Sequence, residues 1–115
     1  MNTKKKYFMD CHLAGRKYND ADEVWNKLKV GTILHLVRDL DNRYDKNAVA
    51  VVFRDEDRDE DFVIGYLPRG ENETIAVLLE MGWTDIFECR INKITADTHP
   101  ENQIGLTIKI KRNDG

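Results

Sequence analysis

Residues 38–47 combine a tyrosine, carboxylates, amides and three cations within ten positions, between two segments with the composition of strands. Loops that connect strands carry many of the binding sites known in proteins. An arginine guanidinium binds phosphate through two parallel hydrogen bonds, and a tyrosine ring stacks on any nucleobase. Cations and tyrosines also follow the first and fourth predicted strands. The candidate nucleic-acid contacts at these strand ends are Arg16, Lys17, Tyr18, Arg38, Tyr44, Asp45, Asn47, Tyr66 and Arg69.

Asp45 is the unexpected member of this group, because a carboxylate repels phosphate. A carboxylate is useful in such a site if it accepts a hydrogen bond from a sugar hydroxyl. A site with this acceptor would favour a free terminal hydroxyl and reject a phosphorylated end.

Ordinary structural roles are open for the same residues. Asp45 and Asn47 are typical turn residues that bond their own backbone. Tyr44 can be a core tyrosine whose hydroxyl is hydrogen-bonded, and Arg38 can pair with a neighbouring aspartate. Gly65 is interpreted as structural, because a residue without a Cβ allows close backbone packing.

Catalytic chemistry has little support in the sequence. There is no glycine-rich loop ending in Gly-Lys-Ser/Thr, and the chain contains no serine. The cysteines and histidines lack the spacing of zinc ligands. We therefore expect a protein that is not an enzyme and that needs no cofactor. The remaining catalytic hypothesis is a metal-dependent nuclease built on Asp39, Asp41 and Asp45, whose cleavage would require a divalent ion.

The hydrophobic pattern predicts the element order β-α-β-β-β-α-β-β. The predicted strands are residues 4–14, 32–38, 48–53, 62–67, 86–95 and 104–111, and the predicted helices begin at Asp20 and Asn72 and end near Gly31 and Gly82. The residues expected on the buried face of the first strand are Tyr7, Met9, Cys11 and Leu13. Short antiparallel strands with two small helices favour a closed or half-closed barrel, because closure removes exposed sheet edges.

Length and composition predict a single domain over residues 1–115. The formal net charge is −3, but residues 54–61 alone hold six acidic and two basic side chains, which predicts a solvated hairpin tip. The remainder has 16 basic and 15 acidic residues, so charge neither excludes nor demands a nucleic-acid partner. The two distant cysteines, the short apolar runs and the absence of a secretory pattern predict a cytoplasmic protein without a membrane segment.

Three separated blocks of the sequence resemble the HIRAN domain. The blocks are Ala14-Gly15-Arg16-Lys17-Tyr18, the run from Leu36-Val37-Arg38 through Asp41-Asn42-Arg43-Tyr44-Asp45-Lys46-Asn47-Ala48-Val49-Ala50-Val51, and Ile64-Gly65-Tyr66-Leu67-Pro68-Arg69. The resemblance extends from about Phe8 to Ile110. It implies a mainly β, OB-like or SH3-like barrel of six antiparallel strands and two short helices, close to the order predicted above.

The resemblance also implies a function. Fork-remodelling members of the family hold the 3′-hydroxyl end of single-stranded DNA. By resemblance, Tyr44 would contact the terminal nucleotide, Asp45 would bond the 3′-hydroxyl, and Arg16 and Tyr18 would flank the pocket. The chain departs from these members in carrying Lys17 where they have an aromatic residue.

The first hypothesis is therefore a non-catalytic module that binds a 3′ end of single-stranded DNA in repair or fork processing, together with a partner helicase or nuclease. The second is a protein-interaction module whose exposed aromatic and charged loops dock a partner enzyme. Weak salt dependence and no affinity for DNA would favour the second hypothesis.

Overall fold

The computed structural model describes residues 4–112, apart from the side chain of Lys17. The strands are β1 (Lys5–His12), β2 (Ile33–Arg38), β3 (Val49–Asp55), β4 (Glu60–Tyr66), β5 (Phe87–Ile94) and β6 (Ile104–Lys111). Within this range one α-helix, α1 (Glu73–Glu80), lies between β4 and β5. Short 3₁₀ helices cover Arg16–Tyr18, Asp20–Glu23, Trp25–Lys27 and Pro100–Asn102. None of the helices in residues 4–112 has the length and apolar character needed to cross a membrane.

The six strands form one antiparallel sheet that curls back on itself. Its order is β1-β6-β5-β2-β3-β4. The two edges meet at Ala14 and Tyr66, where each backbone N–H donates to the carbonyl oxygen of the other residue over 2.8 Å. This bridge joins the end of β1 to the end of β4, so the predicted mainly β, half-closed antiparallel barrel is confirmed.

The core lies inside the curled sheet; β2, β5 and β6 contribute alternate side chains to it, whereas β3 is buried continuously over residues 49–52. In β6, for example, Ile104, Leu106 and Ile108 are buried, whereas Lys109 is exposed. The helix α1 covers the core with Ile75, Ala76 and Leu79. Each fully buried Leu or Ile side chain stabilises the fold by roughly 1.5–3 kcal/mol.

The first predicted helix is wrong. Where an α-helix from Asp20 to near Gly31 was expected, the chain forms two separate 3₁₀ helices, Asp20–Glu23 and Trp25–Lys27, so residues 4–112 hold one α-helix instead of two. The N-cap position is occupied by Asn19 instead of Asp20 and has no side-chain capping bond, and the chain leaves helical geometry at Val24, with φ −126° and ψ 14°. A segment this short and rich in Asn and Asp has little intrinsic helix stability. It is held by tertiary burial of Ala21, Val24 and Leu28.

The predicted inward face of β1 is correct only in part. The pairing of β1 with β6 shifts register between Tyr7 and Met9, which marks a bulge at Phe8. An extra residue in one strand reverses the facing of side chains beyond it. Tyr7 is therefore 64% exposed, whereas Phe8 packs on the core beside Phe87.

The acidic segment 54–61 forms the predicted hairpin tip between β3 and β4, but one of its six acids is not solvated. Asp55 is only 2% exposed and accepts hydrogen bonds from Lys27 Nζ at 2.8 and 2.9 Å. The hydrogen bond from Lys27 lowers the pKa of Asp55 below its ordinary value. This ion pair ties the 3₁₀ helix Trp25–Lys27 to the hairpin.

The interpretation of Gly65 as a structural residue is confirmed. A Cβ at this position would lie 2.6 Å from the carbonyl oxygen of Ala14 and 2.6 Å from Cγ of Leu13. Because real Cβ atoms do not approach backbone this closely, any side chain here would push β1 away from β4. The barrel can close at this point because residue 65 is a glycine and has no Cβ.

We expect Gly65→Ala to lower the free energy of unfolding by about 2–3 kcal/mol, because backbone at the closing bridge must move. Urea unfolding monitored by circular dichroism measures this. Gly105→Ala is the matched control, since its Cβ would press on the end of the exposed Asn92 side chain, which can move, and would meet Lys93 Cβ at 3.4 Å without touching backbone. That control should cost under about 1 kcal/mol. Equal losses in the two variants would contradict the role assigned to Gly65.

Candidate functional site

The loop between β2 and β3 is shaped by short polar side chains that bond nearby backbone. Oδ1 of Asp39 accepts from the Asp41 N–H, and Oδ1 of Asn42 accepts from the N–H groups of Tyr44 and Asp45 over 2.9 and 3.1 Å. Such local bonds are the reason that Asp and Asn are favoured in turns. They fix the backbone on both sides of Tyr44, whose side chain is 78% exposed.

Arg38 holds the two ends of this loop together. Its guanidinium donates to the carbonyl oxygens of Asp39, Lys46 and Ala48, and its Nε donates to Glu80 of α1 over 2.7 Å. The Arg38 side chain is 11% exposed. Because its donors bond the protein backbone and α1, we interpret Arg38 as a residue that holds the shape of the loop.

Asp45 has a defined orientation. Its Oδ1 accepts from the Asn47 N–H over 2.9 Å, and its Oδ2 accepts from Nδ2 of Asn72 over 2.8 Å. A carboxylate oxygen has two acceptor sites, so each oxygen retains capacity for another donor. The turn role of Asp45 and the proposed ligand role are therefore compatible. Asn47 is half-buried, and its backbone N–H is the group that bonds Asp45.

Tyr66 joins the end of β4 to the loop. Its hydroxyl donates to Oδ2 of Asp39 over 2.8 Å. Burial, together with the hydrogen bond to Asp39, raises the pKa of Tyr66, so the phenol stays neutral and donates. Since the backbone of Tyr66 also forms the bridge to Ala14, one residue connects β1, β4 and the loop.

Arg16 and Tyr18 lie in the 3₁₀ helix that follows β1. Arg16 donates to Asp22 over 2.8 Å and lies over the ring of Trp25 at 4.3 Å, with its side chain 12% exposed. Tyr18 is 82% exposed. The side chain of Lys17 lies outside the described part of the chain, so its predicted contact stays a prediction. Arg69 is exposed in the turn after β4.

Most of the predicted site residues thus fall into two groups, and the members of each group lie close together in the structure. One is the loop group, in which hydrogen bonds link Arg38, Asp45, Asn47 and Tyr66 to the segment that carries Tyr44. The other is the segment Arg16–Tyr18, which packs against β4 through the barrel closure. Their roles as ligand contacts remain predictions.

Two residues of the site were missed by sequence reasoning. Asn42 organises the loop on both sides of Tyr44, and its position inside a turn-rich run was the available signal. Asn72 contacts Asp45 across 27 positions of the chain, and nothing local in the sequence indicates that pairing.

The described residues offer no preformed metal centre. Within residues 4–112, no three His, Cys, Asp or Glu side chains are placed to hold a metal ion, including the three aspartates of the nuclease hypothesis. Burial raises the pKa of Cys11 to about 12 and also raises that of Cys89. Both thiols are therefore protonated at neutral pH and poor nucleophiles.

Comparisons with known proteins agree with this architecture. The family model of the HIRAN domain matches residues 6–112. A crystal structure of a protein from Lactobacillus plantarum superposes with a TM-score of 0.73 at 21% identity, covering 95% of this chain and 97% of that one. The crystal structure of the HIRAN domain of human HLTF superposes with a TM-score of 0.63 at 16% identity, covering 99% and 84%. No curated protein sequence matches significantly.

We expect Arg38→Lys to lower the free energy of unfolding by about 1–3 kcal/mol, because an ammonium cannot bridge three carbonyls and Glu80 as a planar guanidinium does. Amide hydrogen exchange should accelerate at Asp39, whose N–H donates to the Ala48 carbonyl across the loop, and at Ala48, whose N–H donates to the Asp45 carbonyl within it. Arg43→Lys is the control, since Arg43 is exposed in the same loop. Unchanged exchange in Arg38→Lys would show that Arg38 does not hold the loop.

Proposed function

Because the chain belongs to the HIRAN domain family of nucleic-acid-binding modules, we propose that it binds single-stranded DNA and prefers a free 3′-hydroxyl end. It acts without catalysis of its own, together with a partner helicase or nuclease, in DNA repair or replication-fork processing. The observation that carries the proposal is the pairing of an exposed aromatic platform, Tyr44, with an adjacent fixed carboxylate, Asp45.

Tyr44 supports the stacking part of the proposal. Its backbone is held by Asn42 while its ring is solvent-exposed, so a base can stack on it without rearrangement of the loop. Stacking of a base on an aromatic side chain contributes roughly 1–3 kcal/mol. Tyr18, also exposed, offers a second ring on the segment after β1.

Asp45 supports the end preference. Its carboxylate is bonded by an amide and a backbone N–H, neither of which carries a charge. It can accept a bond from a sugar hydroxyl, whereas a 3′-phosphate would meet like charge at the same place. The site therefore selects the end chemically, by attraction of one group and repulsion of the other.

The cations around the site are few. Among the described side chains, Arg43, Lys46 and Arg69 are exposed there, whereas Arg16 and Arg38 are engaged within the protein. Contact with two or three phosphates predicts a slope of about −1.4 to −2.1 for log K against log salt concentration. This is the behaviour of a module that holds a short terminal segment.

A second candidate function is docking of a partner protein. The helix α1 and the turn after it expose Val77, Met81 and Trp83, which are 50%, 68% and 47% exposed. Exposed apolar side chains of this size are typical of interaction surfaces. This function is favoured if no single strand binds, whatever its end.

The test of end preference is fluorescence anisotropy with a labelled ten-nucleotide single strand that ends in a 3′-hydroxyl or a 3′-phosphate. We expect tighter binding of the hydroxyl form. Asp45→Ala should lose about 1.5–3 kcal/mol toward that form, since a hydrogen bond to a charged group is lost. Asp41→Ala, an exposed aspartate of the same loop, is the control. Equal binding of the two ends by the wild-type protein would leave a generic strand binder.

We expect Tyr44→Ala to weaken binding of both ends by roughly 1–3 kcal/mol, because stacking does not depend on the terminal group. The same anisotropy assay measures it. Tyr7→Ala is the matched control, because Tyr7 is an exposed tyrosine at the far end of β1 from the Ala14 bridge. Similar losses in both variants would indicate that binding does not use Tyr44 specifically.

A further inference from the structure

We propose that Asn72 is the positioning residue of the end-binding site, because it fixes the Asp45 carboxylate as a charged acceptor. This inference rests on the proposed function and extends it to a residue outside the loop. Asn72 is 1% exposed, so its side chain does not meet the DNA. It acts through Asp45, to which its Nδ2 donates over 2.8 Å.

Asn72 lies at the N-terminus of α1, but its side chain does not cap the helix. Asn72 is the N-cap residue of α1, where an asparagine oxygen usually accepts from the first turn. Here the N-cap side chain makes no capping hydrogen bond. The amide instead donates to Asp45, so the usual capping contribution is forgone in favour of a contact with the loop.

The chemistry of the donor matters for selectivity. A lysine or arginine at this position would neutralise the carboxylate and remove its repulsion of a terminal phosphate. An amide N–H orients the carboxylate and leaves its charge in place. Since Asn47 N–H holds the other oxygen, the rotation of the carboxylate is fixed from both sides.

The helix that carries Asn72 is also tied to the loop at its other end. Glu80, in the last turn of α1, accepts from Arg38, which bonds the carbonyls on both sides of the loop. The loop is therefore held at two points on one rigid element. Loss of the Asn72 contact should free the carboxylate without releasing the whole loop.

The test measures the ratio of affinities for a single strand ending in a 3′-hydroxyl and one ending in a 2′,3′-dideoxynucleotide, between pH 5 and 8. Neither end group titrates in this range. In the wild-type protein we expect a constant preference for the hydroxyl end. Asn72→Ser retains a good N-cap residue but is too short to replace the amide, and should reduce the preference about tenfold.

Asn72→Asp provides a rescue. When protonated, the introduced carboxyl group donates to Asp45 as the amide does, and when ionised it repels Asp45. Burial and the neighbouring carboxylate raise its pKa well above the ordinary value of about 4. The preference of this variant should therefore be close to wild type at pH 5 and largely lost at pH 8.

The surrounding charged groups are common to all these proteins, so they cannot produce a pH dependence confined to one variant. They are Arg38 at the end of β2, Asp39 and Lys46 in the loop, Arg69 and Glu71 before α1, and Glu73 in its first turn. Circular dichroism and thermal unfolding establish that each variant is folded.

The outcomes separate the two proposals. A wild-type protein that binds both ends equally overturns the proposed function, and this inference with it. A wild-type preference that survives in Asn72→Ser, at full strength and at every pH, overturns the inference alone. If Asn72→Asp does not fold, Asn72→Ser decides by itself. A reduced preference with unchanged affinity for the dideoxy strand supports the positioning role.

Discussion

The closure of the barrel at Ala14 and Tyr66 is the contact on which the site depends. It brings the end of β1, and with it Arg16 and Tyr18, next to the end of β4. The hydroxyl of Tyr66 in turn donates to Asp39, and this bond fixes the β2–β3 loop relative to the closure. The absent side chain at Gly65 allows the approach, because a Cβ there would overlap the backbone of Ala14. A constraint of packing thus sets the geometry of polar groups far apart in sequence.

The loop itself owes its shape to hydrogen bonds more than to burial. Asp39, Asn42 and Asp45 bond backbone close to them, and Arg38 spans the gap between the two strands. Because the loop's own residues make these bonds, the proposed binding needs little ordering of the backbone, and less of the interaction energy is lost to entropy. The ring of Tyr44, in contrast, is 78% exposed.

The sequence predicts correctly those elements whose position depends on the local pattern of apolar residues. The strand β6 was located correctly because its apolar residues alternate without interruption, and α1 because its apolar face and its final glycine agree. The bulge at Phe8 depends on pairing with β6, more than ninety positions away, so no local pattern could indicate it. The same holds for Asn72 and Asp45, which meet only when the barrel has formed. The segment from Asp20 to near Gly31 is wrongly predicted as an α-helix because the spacing of Trp25 and Leu28 suits a 3₁₀ helix as well as an α-helix.

The distribution of charge supports the proposed recognition of an end over binding along a strand. A groove that follows a phosphate backbone needs a row of free cations, yet Arg16 and Arg38 are bonded within the protein. The exposed Arg43 and Lys46 lie within two residues of Asp45, whose carboxylate would repel a phosphate placed directly against it. A continuous strand has a phosphate on both sides of every sugar, whereas a terminal nucleotide presents a hydroxyl on one side. The terminal nucleotide is therefore the part of a strand that suits an aromatic ring, a few cations and a fixed carboxylate together.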